Sequence, residues 1–280
     1  MKTYSENPGN ERTRRIPCPL CGGDSSRPFL EASNYRFVRC RRCHLVFQNP
    51  QPLLEDLRRR YAEGYFNYEL ENEENFFNLM KLGLRDIRFD RLAATMPGPR
   101  AFLDIGCATG MLLAHMRNQG WEVRGVEVCR ESAEYGKKRR AVDIFVGTLE
   151  EARLPDASVG VVHFSHLIEH VPDPRALLVE VHRVLAADGH AVVTTPNVDG
   201  FQARLFGTRW RSAIADHLFL FSKRTLKQIL TQTGFQVLGV RTWGGLARGA
   251  APTWVKRPAD VLAKRLGFGD VVLMLARRLP

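Results

Sequence analysis

The stretch that most restricts the fold is Ala101-Phe102-Leu103-Asp104-Ile105-Gly106-Cys107-Ala108-Thr109-Gly110. A short apolar run ends in an acid, two glycines follow four positions apart, and Met111-Leu112-Leu113-Ala114-His115-Met116 opens a helical pattern. This order predicts a buried strand, a tight glycine turn and a helix, the first unit of a nucleotide-binding α/β sheet. Lacking Cβ, Gly106 and Gly110 let the backbone bend and come close to a ligand. Two nucleotide signatures are excluded. A G-x-G-x-x-G fingerprint begun at Gly106 meets Ala108 and Met111 instead of glycine, and no G-x-x-x-x-G-K-[ST] phosphate loop occurs.

Alternation continues downstream. Residues 121–127, 143–146, 159–164, 190–195, 235–243 and 271–276 read as strands, and residues 130–140 and 222–232 as helices. Asp173 caps a further helix that has Pro174 in its first turn. Glu127 ends the second strand. Nucleotide-binding units carry an acid at this separation from the glycine turn, where it accepts hydrogen bonds from ribose hydroxyls.

The pattern D-x-G-x-A-x-G over residues 104–110 resembles the first motif of class I S-adenosylmethionine (SAM)-dependent methyltransferases. SAM has no pyrophosphate, so the demand for a second glycine is relaxed and Ala108 is tolerated. The resemblance implies that the turn Gly106, Cys107, Ala108 and Gly110 cradles the methionine part of SAM, that Asp104 sits beneath it, and that Glu127 holds the ribose. It places Thr148 and Leu149 beside the adenine. The family often has an acid where Thr148 stands, which leaves that contact to the Thr148 hydroxyl or to the backbone near Leu149. The implied fold is α/β, a Rossmann-like seven-stranded sheet with its last strand antiparallel, over residues 99–280.

Open parallel sheets place their chemistry at the carboxyl ends of strands. Ser165-His166-Leu167-Ile168-Glu169-His170 follows the fourth strand, and the string E-H-V-x-D-P beginning at Glu169 resembles the matching segment of many small-molecule methyltransferases. His166 is the candidate to face the acceptor and the cofactor. Glu169 and His170 either fix the loop or join the site. Residues 196–221 have weak periodicity and carry Arg209, Trp210, Arg211, Asp216 and His217. A long irregular segment after a strand's carboxyl end reads as an acceptor-binding lid. Asp216-His217 opens a D-H-L-x-x-F-S string that resembles the same methyltransferase group, which makes His217 a candidate general base with Asp216 orienting it.

Ahead of this domain stand Cys18-Pro19-Leu20-Cys21 and Cys40-Arg41-Arg42-Cys43, with positions 22–39 between the pairs. Paired C-x-x-C at this separation is the spacing of a four-cysteine structural Zn2+ site, and four cysteines leave no open position for water. Cys107 and Cys129 read as buried thiols. Domain boundaries follow: a disordered tail over 1–15, a zinc ribbon over 16–52, a helical cap or linker over 53–98, and the methyltransferase domain over 99–280. In the cap, Phe76, Met80, Leu84 and Ile87 fall at helical spacing, and Tyr61, Tyr65, Phe66 and Tyr68 cluster just before. A ribbon followed by helices resembles a subset of bacterial methyltransferases of sugar and surface-polysaccharide pathways.

The formal net charge of +11 is unevenly placed, and residues 200–280 hold 14 Lys and Arg against 3 Asp and Glu. Basic surface favours an anionic partner. The expected function is SAM-dependent methyl transfer, favouring O-methylation, to a small-molecule or glycan acceptor, in particular a phosphorylated sugar or saccharide carrier. The alternatives are an rRNA or tRNA methyltransferase that holds RNA with its ribbon, and a non-catalytic SAM-binding protein. No apolar run is long enough for a membrane span and no signal-peptide core opens the chain, so a cytoplasmic location is expected.

Overall fold

The computed structural model describes residues 11–32, 35–59, 63–244, 254, 258, 264 and 266–280. The N-terminal strands are β1 (Thr13–Arg14), β2 (Ser26–Glu31), β3 (Arg36–Cys40), β4 (Val46–Gln48) and β5 (Gln51–Pro52), followed by the helices α1 (Leu54–Arg59), α2 (Glu63–Asp86) and α3 (Phe89–Thr95). The α/β part then runs β6 (Ala101–Ile105), α4 (Met111–Asn118), β7 (Glu122–Glu127), α5 (Arg130–Arg140), β8 (Asp143–Val146), α6 (Leu149–Ala152), β9 (Val159–Ser165) and α7 (Pro174–Val184). It closes with β10 (Leu185–Pro196), α8 (Phe201–Phe206), β11 (Phe219–Leu220), α9 (Lys223–Gln232), β12 (Phe235–Trp243) and β13 (Val271–Arg278).

Seven strands form the main sheet in the order β12-β13-β10-β9-β6-β7-β8. Strands β6 to β10 pair in parallel, and β13 lies antiparallel between β10 and β12, as expected. The sheet is covered on both faces, so β9 and β13 read as near-continuous apolar runs. The strand order reverses between β6 and β9. A crevice at the carboxyl ends of strands opens at such a switch point.

The ribbon is built into this body. Its sheet has four strands in the order β11-β4-β3-β2, and β11 is supplied by the segment after β10. Phe219 pairs with Phe47 and Leu220 with Val46. One apolar cluster joins Leu20, Leu45 and Phe47 of the ribbon to Phe164, Val193, Phe219, Phe221 and Leu226 of the α/β part. Burying a Phe is worth ~2 kcal/mol, so detaching the ribbon from Phe219 and Phe221 is costly. A second cluster packs Leu84 and Phe89 of the helical region on Phe102, Leu113, Trp121 and Leu273 of the sheet.

Two expectations change here. Residues 196–221, expected as a long irregular acceptor-binding lid, hold α8, a 3-10 turn at Gly207–Arg209 and β11, with Trp210 and His217 buried. Trp210 Nε1 donates to Asp270 Oδ1 at 2.6 Å, and Arg211 Nε pairs with Asp270 Oδ2 at 2.8 Å, which ties this wedge to the start of β13. Of the tail expected over 1–15, residues 1–10 lie outside the described residues, while Thr13 and Arg14 pair with Pro52 and Gln51. Tyr61 and most of the helical stretch expected between the last two strands also lie outside them. Among the described residues, no helix is long and apolar enough to cross a membrane.

Candidate active site

The glycine turn leaves β6 in a left-handed conformation at every second residue. Gly106, Ala108 and Gly110 take φ values of 68°, 50° and 75°. The left-handed region costs an L-residue such as Ala108 about 1–2 kcal/mol, so the surroundings must hold it there. Glu127, at the end of β7, does so: Ala108 N donates to its Oε2 at 2.9 Å, and Cys129 N donates to its Oε1 at 2.8 Å. A carboxylate offers about four lone-pair sites, so a place remains for a further donor. Glu127 is buried, and burial first, with the charge of Asp104 adding to it, raises its pKa against the pull of those backbone N–H groups.

Asp104 is fixed from the neighbouring strand, with His163 Nδ1 at 2.7 Å from its Oδ1 and both side chains buried. A third acid comes from α2. Glu69 is buried, accepts a bond from Ser132 Oγ, and is pushed up to about 8, first by burial and then by the charge of Glu127. One helical turn on, Glu73 Oε2 accepts from Thr109 Oγ1 at 2.8 Å and pairs with Arg140 at 2.8 Å. Within the stretch 53–98, α2 therefore touches the glycine turn through Glu73. Cys107 and Cys129 are buried thiols, and burial raises the pKa of each.

Thr148 and Leu149 stand at the carboxyl end of β8. The Thr148 hydroxyl accepts from Glu151 N, and Glu151 accepts from Thr148 N, a reciprocal cap of α6. Accepting that bond leaves the hydroxyl its own O–H to donate.

The other half of the crevice lies at the ends of β9 and β10. His166 has φ 53°, and its N–H donates to Thr194 O at 2.9 Å. Its side chain is 43% exposed, with Nδ1 3.1 Å from Glu169 Oε1. Glu169 is fully buried, and its Oε2 accepts from Thr195 Oγ1 at 2.9 Å. Burial pushes its pKa up, but the bond from His166 and the fields of His166, His170 and His217 outweigh that and hold it at about 2. Glu169 also fixes the wedge, because its backbone carbonyl accepts from Leu218 N at 2.7 Å and Phe219 N at 3.1 Å.

Around the expected Asp216–His217 pair, imidazole nitrogens face main-chain carbonyls. His217 Nδ1 faces Ser212 O at 2.8 Å, and the backbone carbonyl of Asp216 faces His170 Nδ1 at 3.0 Å. Orientation of His217 thus comes from a main-chain carbonyl. Burial, with the nearby charge of His170, lowers the His217 pKa to about 3 and keeps the ring neutral. The two halves meet at Leu167: a Cβ on Gly106 would lie 3.2 Å from Leu167 Cδ1.

The four cysteines converge in the ribbon. One sulfur atom from each of Cys18, Cys21, Cys40 and Cys43 lies within 4.8 Å of the others. Cys18 and Cys43 are 3.4 Å apart and Cys21 and Cys40 3.5 Å, well beyond the length of a disulfide bond. Gly22 and His44, one after each pair, both take left-handed φ values, 69° and 68°, so the two knuckles close alike. A tetrahedral ion suits this donor set.

Residues missed in the sequence are His163, Glu69, Glu73 and Thr195. A lone imidazole in an apolar strand and two acids four apart on one helix face were the available signals.

The sequence profile of the family described as methyltransferase domain matches residues 79–240. A probable S-adenosylmethionine-dependent methyltransferase of Mycolicibacterium smegmatis is 31% identical over 181 residues, which cover 62% of this chain and 66% of the relative. A ubiquinone biosynthesis O-methyltransferase of Vibrio atlanticus is 25% identical over 152 residues, covering 49% and 64%. The chain spans only 35% to 66% of the length of such curated relatives. Among solved structures, a SAM-dependent methyltransferase from Archaeoglobus fulgidus aligns with a TM-score of 0.55 at 22% identity, over 76% of this chain and 99% of that one. One from Thermotoga maritima aligns at 0.57 and 21%, over 78% and 100%. At these identities the structural likeness is one of fold.

Proposed function

The chain belongs to the methyltransferase domain family, and from that premise we propose that it moves the methyl group of SAM to a hydroxyl of a small-molecule or glycan acceptor, with His166 as base. SAM supplies an activated methyl carbon on a positive sulfur. Asp104 and Glu127 give the cofactor half a negative field suited to that cation. Glu127 has the spare lone pairs for the ribose, and α2 excludes water from the turn.

The observation that carries the reading is the His166–Glu169 pair at the end of β9. A carboxylate facing Nδ1 holds the proton on that nitrogen. Nε2 then keeps a lone pair for the acceptor's proton, on a side chain that solvent and acceptor can reach. The names of the ubiquinone biosynthesis relatives support a hydroxyl as the receiving group. The basic excess over residues 200–280 supports an anionic acceptor such as a phosphorylated sugar. We assign the four cysteines to a structural Zn2+ that braces the wedge through β4 and β11. A ribbon sharing its core with the sheet favours this bracing role over RNA capture.

The test is methyl transfer from SAM labelled on the methyl carbon, with the full chain and a cell extract divided into RNA, protein, and small-molecule plus glycan fractions. Label in the last fraction is expected. Label in RNA, or none with SAM bound, would overturn the reading.

A further inference from the structure

We propose that Glu169, His170 and His217 bind a divalent transition-metal cation at the carboxyl ends of β9 and β10. One ligand atom from each of the three lies within 4.8 Å of the other two. They converge without bonding to one another. The Glu169 oxygens take their hydrogen bonds from His166 and Thr195, while His170 and His217 spend Nδ1 on the carbonyls of Asp216 and Ser212. A carbonyl only accepts, so in both rings Nδ1 carries the proton and Nε2 keeps the lone pair. Metal-bound histidines are held in this way, with the distal N–H on a backbone carbonyl that sets tautomer and ring angle. The rings stand edge to face, with centroids 4.6 Å apart.

The donor chemistry narrows the ion. Two neutral imidazoles and one carboxylate suit Zn2+, Co2+ or Fe2+ over Mg2+ or Ca2+, which prefer oxygen donors. One negative charge among buried residues is what a dication offsets. Glu169 is 0% and His217 6% exposed, while half-buried His170 and exposed His166 leave a route from solvent. Three protein ligands leave positions open for an oxygen of the acceptor, whose proton a bound cation makes easier to remove. That last role rests on the O-methyl reading; occupancy of the site does not.

The experiment counts metal in the full chain after loading with Co2+ and dialysis. Two equivalents are expected in the wild type, one on the cysteines and one here, and a single equivalent in His170→Asn. A second measurement needs no variant. In the Co2+-loaded wild type, proton NMR should show two exchangeable, strongly shifted resonances from the Nδ1–H groups of His170 and His217. One equivalent in both proteins, with no such resonances, overturns the proposal. If His170→Asn does not fold, the wild-type resonances decide alone. Cation bound at this site in a chain that transfers no methyl group would uphold the site and defeat the proposed activity.

Discussion

Glu127 and Glu169 are both buried carboxylates at the carboxyl ends of parallel strands in one sheet, yet their surroundings pull their acidities apart. Glu127 sits among other acids, Asp104 and Glu69, and is raised by burial with only backbone N–H groups to relieve it. Glu169 sits among three imidazoles and is held at about 2 despite equal burial. The partners, rather than the depth, decide the direction. One half of the crevice is therefore crowded with acids and the other is lined with imidazoles. This division suits a cationic cofactor on the β6–β8 side and an acceptor that must give up a proton on the β9–β10 side.

The strongest way to break the comparison is through the ribbon, whose sheet takes a strand from the segment after β10. Cys40→Ser should cost about 4 kcal/mol, the scale of losing a structural metal. Gln48 Nε2, which donates to the carbonyls of Ala215 and His217 at 2.6 and 2.8 Å, should lose its register with the wedge. Hydrogen exchange should show residues 210–221 losing protection while residues 104–110 keep theirs. Equal loss in both would mean that the halves are not separable.

Glu127→Gln attacks the other side. Hydrogen bonds to a charged group are worth ~2 kcal/mol, so SAM affinity by calorimetry should fall roughly 30-fold. Metal or proton behaviour at Glu169 should not change.

Glu69 sharpens the comparison through pH. Its folded pKa, about 8, lies above the ordinary 4.5, so between these values the folded chain keeps a proton that the unfolded chain has released. The stability Glu69 contributes is full below 4.5, falls as pH rises from there, and is gone once pH has passed through 8. Thermal melts of the unliganded protein should lose this slope in Glu69→Gln. SAM affinity in the wild type should rise as pH passes through 8, where the folded acid ionises beside a cation.

The smallest effect is expected at Thr148. Thr148→Ala should cost about 1 kcal/mol in denaturant unfolding, from the lost cap, and leave SAM affinity within about twofold. A larger change in affinity would give the hydroxyl the adenine contact.

The two halves also differ in how far the sequence reveals them. The cofactor half is a contiguous motif plus one acid at a fixed distance, Asp104 to Gly110 and Glu127, so spacing along the chain is close to spacing in the fold. The strands were legible for the same reason, since residues such as Val159, Val161, Val162 and Phe164 must be apolar to be covered on both faces. The acceptor half is a meeting of segments far apart in the chain, as where the His170 ring meets the carbonyl of Asp216. Nothing local signals that a two-residue strand, Phe219–Leu220, joins the ribbon sheet, because so short a strand carries no periodicity. His217 takes its orientation from the main-chain carbonyl of Ser212, a partner that sequence spacing does not announce. Glu69 was missed because a buried acid on a helix rich in glutamates looks like a solvated one until its partner Ser132 is known.

The most direct test of this division is to measure SAM affinity and methyl transfer side by side in the wild type and in His166→Gln. The side chain is 43% exposed, so the variant should fold. SAM should bind within about twofold of the wild type, with transfer falling ~100-fold, the scale of a lost general base. Transfer at the wild-type rate, or a matching loss of SAM affinity, would contradict the division of the crevice into a cofactor half and an acceptor half.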